Sequence, residues 1–257
     1  MTHPIANTLP QLQHNLASVR ERIAAACRRA GRDPSEVRLL PVSKTVDEAR
    51  LRLAWQAGCR ELGENKVQEA RRKAQAINDL SDLRWSVIGH LQTNKAKYVA
   101  QFASEFQTLD SLRVAAALDR RLAHEGRSLD VLVQVNTSNE PSKYGLAPDE
   151  VDAFMQQLPS YPRLRVSGLM TLAVFSVDPA RVRPCFIRLR QLRDRLRAQA
   201  PAAVGLDTLS MGMSGDFETA IEEGATVVRV GQAIFGARAL PDSHYWPGEF
   251  TGSNTPP

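Results

Sequence analysis

The chain lacks most features of a membrane, secreted or metal-binding protein. No apolar run in its 257 residues approaches the ~18 that a membrane-spanning helix needs. The N-terminus, Met1-Thr2-His3-Pro4, has no basic segment leading into an apolar core, so no signal peptide is expected. Cysteine is scarce. Cys27, Cys59 and Cys185 are odd in number and lack metal-ligand spacing, which fits a reducing cytoplasm better than a disulfide framework. The histidines (His3, His14, His90, His124 and His244) are scattered, and no His/Cys/Asp grouping has zinc-like spacing. No GxGxxG follows the first apolar strand, and no Ser-His-Asp constellation is recognisable.

Lysine is also rare. Of the 33 cationic side chains only six are lysine: Lys44, Lys66, Lys73, Lys95, Lys97 and Lys143. Arginine supplies the rest, interspersed with 28 acids for a net charge of +5. This is not the dense basic stripe of a nucleic-acid binder, and no nucleic-acid partner is expected. Seven arginines do cluster between Arg181 and Arg197, interleaved with Phe186, Leu189, Leu192 and Leu196. They read as the solvated face of an amphipathic helix. The scarcity of lysine makes the place of each one informative.

What is present is ordinary for a globular protein, 43% apolar and 24% charged. Short β-rich runs recur at 37–42, 60–62, 85–88, 106–109, 131–135, 164–169, 208–209 and 226–230. The second and seventh are weak by composition and rest on their place in the repeat. Helical periods separate them: Val46, Ala49, Leu53 and Ala57; Val67, Ala70, Ala74 and Ile77; Leu112, Ala115, Ala116 and Leu122. The alternation predicts an α/β fold, a single (β/α)8 TIM barrel over residues 1–240. A doubly wound sheet is the alternative. An extra N-terminal helix precedes the first strand, with Leu9, Leu12, Leu16, Val19 and Ile23 on one face. Residues 241–257 read as an irregular tail pinned by Tyr245, Trp246 or Phe250, and only 21 residues follow Gly236, so no second domain is expected. Thr45 with Glu48, and Asn65 with Gln68, match capping-box spacing and predict very short turns after the first two strands.

In such a barrel chemistry sits at the C-terminal ends of the strands. Those ends are polar or glycine-rich here. Lys44 closes the apolar run Leu39-Leu40-Pro41-Val42. A desolvated amine shifts towards its neutral, nucleophilic form, as a Schiff-base lysine requires; the competing reading is a lysine that snorkels to solvent. Ser210-Met211-Gly212-Met213-Ser214-Gly215 leads into a helix near Asp216, and Arg229-Val230-Gly231-Gln232 ends the eighth strand. Barrels often bind phosphate with these two loops; an ordinary turn with Ser214 as N-cap is the alternative. Asn65 and His90 face the same rim, the first also a plausible N-cap and the second a plausible hydrogen-bonded rim residue.

Several long runs stand in one order: Pro41-Val42-Ser43-Lys44-Thr45; Leu62-Gly63-Glu64-Asn65-Lys66-Val67-Gln68-Glu69; Ile88-Gly89-His90-Leu91-Gln92-Thr93-Asn94-Lys95; Ser142-Lys143-Tyr144-Gly145; Gly168-Leu169-Met170; Leu209-Ser210-Met211-Gly212-Met213-Ser214; and Val228-Arg229-Val230-Gly231-Gln232-Ala233-Ile234-Phe235-Gly236. Together they resemble the pyridoxal-phosphate homeostasis protein family, whose fold is like the N-terminal barrel of alanine racemase. The resemblance runs from about Leu9 to Arg238. It implies a protein that holds pyridoxal 5′-phosphate (PLP) as a Schiff base on Lys44. It also implies that Ser210, Met211, Gly212, Met213, Ser214, Gly231 and Gln232 serve the phosphate. Asn65, His90 and Met170 would lie around the cofactor, and Arg229 would lie near the ring nitrogen or the phosphate.

Three departures from the family pattern stand out. Lys66 replaces an aromatic, Gly215 an acidic residue and Gln232 a threonine; the last two touch the phosphate loops. PLP supplies the electron sink and the protein selects the reaction by placing bases. In alanine racemase the second base comes from a region involving an additional β-domain, which this length leaves no room for. The expected role is therefore intracellular PLP homeostasis with little or no turnover, in a cytoplasmic monomer with PLP-dependent apo-enzymes as partners. The alternative is a racemase-like PLP enzyme acting on amino acids.

Overall fold

The computed structural model describes residues 3–176, 178–199 and 205–237. All eight expected strands form: β1 (Arg38–Pro41), β2 (Glu61–Glu64), β3 (Arg84–Val87), β4 (Glu105–Leu109), β5 (Leu129–Gln134), β6 (Leu164–Met170), β7 (Thr208–Ser210) and β8 (Val227–Val230). The helices are α1 (Leu9–Arg29), α2 (Glu48–Gln56), α3 (Val67–Ala76), α4 (Ala96–Phe102), α5 (Leu112–His124), α6 (Val151–Gln157), α7 (Pro179–Gln199), α8 (Phe217–Glu222) and α9 (Gln232–Phe235).

The strands pair in parallel in the order β1-β8-β7-β6-β5-β4-β3-β2. Just past the end of β1 a parallel bridge joins Val42 to Gly63 of β2, and the Ser43 amide donates to the Gly63 carbonyl at 2.9 Å. The result is a nearly closed (β/α)8 barrel. Strands covered on both faces read as continuous apolar runs, and β8 is buried at every position.

The N-terminal helix is present. Thr8 and Gln11 form its capping box, and Leu12, Leu16, Val19 and Ile23 are buried where α1 packs on α8, α9 and α2. Arg22 pairs with Glu218 at 2.7 Å, and the Asn15 amide donates to the Ile234 carbonyl at 2.9 Å.

Two expected helix starts fall elsewhere. α2 is capped by Asp47, whose carboxylate accepts from the Arg50 amide, because Thr45 takes a left-handed φ of 67°. α3 starts after Lys66 with no side-chain cap, so Asn65 is not its N-cap. Ser214 is likewise not the cap of α8, which Asp216 precedes. The buried face of α2 is Leu51 and Ala54 rather than Ala49, Leu53 and Ala57, and on α5 Ala116 is exposed while Val114, Ala117 and Leu118 are buried.

The arginines of α7 are mostly ion-paired. Arg183 reaches Glu222 and Glu223, Arg190 reaches Glu223, Arg195 reaches Asp152 and Arg197 reaches Asp207. They tie α7 to its neighbours. Cys27, Cys59 and Cys185 are free and buried. Among the described residues no helix is long and apolar enough to cross a membrane, and no cluster of three or more metal-ligating side chains occurs. The tail at 241–257, with Tyr245, Trp246 and Phe250, lies outside the described residues.

Candidate functional site

The candidate residues gather on one rim of the barrel because each follows or ends a strand. Lys44 comes three residues after β1, Asn65 directly after β2 and His90 shortly after β3. Met170 ends β6, Ser210 ends β7, and Arg229 lies in β8 one residue before its end. Half-buried Lys44 lines a cavity of about 150 Å³ together with Val42, Arg50, Gly231 and Gln232. The two phosphate-competent loops meet behind it, where the Gly231 amide donates to Ser214 Oγ at 3.3 Å.

Gly212 has φ of 93°, and a Cβ there would meet Ala220 Cβ at 2.7 Å, so the loop after β7 presses against α8. The amides of Ser214 and Gly215 have no hydrogen-bond acceptor among the described residues. Unengaged amides beside a glycine loop suit a phosphate. This donor set is backbone, so it survives the departures at Gly215 and Gln232.

The turn that carries Lys44 is clamped from below. Lys73, fully buried on α3, donates to the Ser43 carbonyl at 2.8 Å and to Glu64 Oε1 and Glu69 Oε1 at 2.7 Å each. Ser43 Oγ donates to the same Glu64 oxygen at 2.6 Å, and the Thr45 amide donates to Glu69 Oε1 at 3.0 Å. Both neighbours of Lys44 are therefore fixed by one buried ionic group. Burial pushes the Glu64 carboxyl up, against Lys73 and Ser43. Burial acts on Glu69 too, but there the hydrogen bond and charge of Lys73 prevail and hold its carboxyl low. A left-handed β-branched residue such as Thr45 costs about 1–2 kcal/mol unless its surroundings impose it, and the Glu69 contact helps impose it.

The floor of the site is a polar chain through the barrel interior. Arg229, 3% exposed, donates to Ser210 Oγ at 2.6 Å and to the Thr171 carbonyl at 2.8 Å. Ser210 Oγ donates to Gln107 Oε1 at 2.7 Å, and Gln107 Nε2 donates to Glu105 Oε2 at 2.6 Å. Glu105 then pairs with Arg38 at 2.7 Å, which pairs with Glu61 at 2.6 Å. Burial lowers the Arg229 pKa to about 10, against the charges of Asp216 and Glu105. Arg229 and the Ser210 hydroxyl are thus set into the barrel floor. Met170 is buried beside them at the end of β6.

His90 lies at the rim's edge. Its ring stacks on Tyr144, centroids 3.9 Å apart and planes 11° apart, and its Nδ1 is 3.7 Å from Asp110 Oδ2. Burial raises the Asp110 carboxyl, opposed by His90 and the Gly145 amide. Asn65 is held next to it by close backbone approach: a Cβ on Gly89 would stand 2.1 Å from the Asn65 carbonyl oxygen.

Sequence reasoning passed over Lys73, Glu64, Glu69, Glu105 and Gln107. The only signal for Lys73 was the rarity of lysine and its place between Ala70 and Ile77 on a buried face.

Comparison with known proteins agrees with this architecture. The family described as alanine racemase, N-terminal domain, matches residues 9–239. The pyridoxal phosphate homeostasis protein of Aquifex aeolicus is 43% identical over 223 residues, covering 87% of this chain and 96% of its own. The solved structure of PipY from Synechococcus elongatus with PLP bound has a TM-score of 0.78 and 36% identity, covering 88% of this chain and 100% of that one. An alanine racemase of Clostridium difficile shares the fold at a TM-score of 0.68 and 13% identity, over 91% of this chain and 58% of that one. The chain belongs to the pyridoxal phosphate homeostasis protein family, built on the alanine racemase N-terminal domain.

Proposed function

We propose that this protein binds pyridoxal 5′-phosphate at the rim, on Lys44, and serves PLP homeostasis with little or no turnover. PLP supplies an aldehyde that condenses with an amine, releasing water, to a Schiff base. The observation that carries this reading is the single cavity shared by Lys44, Gly231 and Gln232. An amine and a glycine-bearing loop that line one cavity support the reading. The names of the relatives and the PLP-bound PipY structure support the same ligand.

The residues divide the work. The Ser214 and Gly215 amides, with Gly231 and Gln232, hold the phosphate. Arg229, fixed from below by Ser210 and Thr171, presents a cation to the ring side and favours an unprotonated ring nitrogen, which weakens the electron sink. Asn65, His90 and Met170 border the ring. A weak sink suits storage and delivery to PLP-dependent apo-enzymes in the cytoplasm, with residues 1–240 as the binding unit. Purified protein incubated with PLP and reduced with borohydride tests the reading, alongside a panel of amino acids. Sustained turnover well above that of free PLP would overturn the carrier role and favour an amino-acid enzyme.

A further inference from the structure

A second concave site lies on the outer wall of the barrel, between α4 and α5. Its volume is about 430 Å³, within the range of small-ligand pockets. Its cationic lining is Lys97, Arg113, Arg120 and Arg121, with Thr93 and Asn94 at one end. Among the described residues no acidic one lines it.

The contrast with the rest of the surface is what makes this groove informative. Many arginines elsewhere meet acids, as Arg29, Arg52, Arg165, Arg183 and Arg195 do. Arg113, Arg120 and Arg121 are exposed, and their side chains have no ion pair or hydrogen bond with any described residue. Asp119, on the same helix, is turned to the Arg163 amide at 2.9 Å. Glu125, the cap of α5, lies beside His124 at 3.7 Å. Arg113 also sits in the first turn of α5, where its charge adds to the positive end of the helix dipole. Four adjacent cations without counter-charge repel one another, and an anion in the groove relieves that repulsion.

The spacing narrows the ligand. Arg113 and the Arg120–Arg121 pair lie on one face of α5, seven and eight residues apart, roughly 11 Å along the axis. Ala116 and Ala117 form a shallow trough between them. Guanidinium groups at both ends of a trough suit an anion with several phosphates in a row. Among the described residues no aromatic side chain lines the groove to stack a base, and no large apolar anchor suits a protein partner. We propose that this groove binds an oligophosphate chain, either inorganic or as the tail of a nucleoside triphosphate, independently of the Lys44 site.

The test is calorimetric titration of the PLP-loaded protein with tripolyphosphate, ATP and adenosine. Tripolyphosphate and ATP are expected to bind at one site and adenosine not to bind. Tighter binding of ATP than of tripolyphosphate identifies the nucleotide as the source; equal binding identifies the phosphate chain alone. Arg113→Gln/Arg121→Gln should weaken both by about tenfold or more, a change of about 1.4 kcal/mol. Its PLP absorption spectrum should stay unchanged. The control pair Arg28→Gln/Arg181→Gln removes the same charge outside the groove and should bind as wild type. Absence of binding, equal weakening in the control pair, or tighter binding of a single-stranded oligonucleotide would each overturn the proposal. Should the protein fail to take up PLP, the same titration on the purified protein still decides the groove.

Discussion

Lys73 donates a 2.8 Å hydrogen bond to the carbonyl of Ser43, the peptide group that leads directly into Lys44. A fully buried lysine on a neighbouring helix thereby sets the backbone from which the proposed PLP amine departs. Breaking a buried ion pair by removing one partner costs about 3–5 kcal/mol, because the other charge is left buried. Lys73→Met should therefore lower stability by about 3 kcal/mol in urea unfolding at neutral pH. It should also weaken PLP uptake, while Lys66→Met on the exposed rim should do neither.

The clamp should also respond to acid in a defined direction. Glu69 has a folded pKa below its ordinary 4.5. Its contribution is therefore present above pH 4.5 and is lost as pH falls through the lower folded value. Glu64 acts in the opposite sense, since its folded value is raised and the cost of its buried charge is relieved as pH falls. Thermal unfolding of wild type and Glu69→Gln should differ at pH 7 and converge well below pH 4.5. A difference that grows on acidification would contradict this sign.

The interior chain makes a separate prediction. Gln107 links Ser210 to Glu105, and Gln107→Leu leaves the buried Ser210 hydroxyl without its acceptor and removes one donor from Glu105, which keeps Ser86 and Arg38. Each such loss costs about 1–3 kcal/mol. Urea unfolding should show a loss in that range, and PLP affinity should fall because Ser210, one of the two groups that hold Arg229, loses its own partner. Unchanged affinity would mean that Arg229 does not act on the cofactor.

Gly89 tests the geometry of the rim. An alanine Cβ would sit 2.1 Å from the Asn65 carbonyl oxygen, so the backbone must move. Gly89→Ala should cost about 1–3 kcal/mol, the usual price of overpacking, and should disturb Asn65 and His90 together. Chemical shifts of the His90 ring provide a local readout.

The parts of the fold that rest on burial were legible. Runs such as Val131-Leu132-Val133 and Val227-Val228 are covered on both faces and read as strands, and even the short β2 and β7 followed from the repeat. Helix starts were not legible where backbone conformation decides them: Thr45 carries the right side chain for a cap but takes a left-handed φ, and Asp47 caps instead. Lys44 stood out because a lysine rarely ends an apolar strand. Lys73 did not, because its partners Glu64, Glu69 and the Ser43 carbonyl are assembled by packing rather than by local sequence. The Arg229-to-Glu105 chain crosses from β8 to β4, and no pattern along one segment announces it.

The most direct measurement is the position of the covalent label after PLP-loaded protein is reduced with borohydride and digested for mass spectrometry. The label is expected on the peptide that contains Lys44, and Lys44→Ala protein is expected to carry none and to lose the wild-type absorption. Label on another lysine, or an unchanged spectrum in Lys44→Ala, would contradict the assignment of Lys44 as the residue that holds PLP.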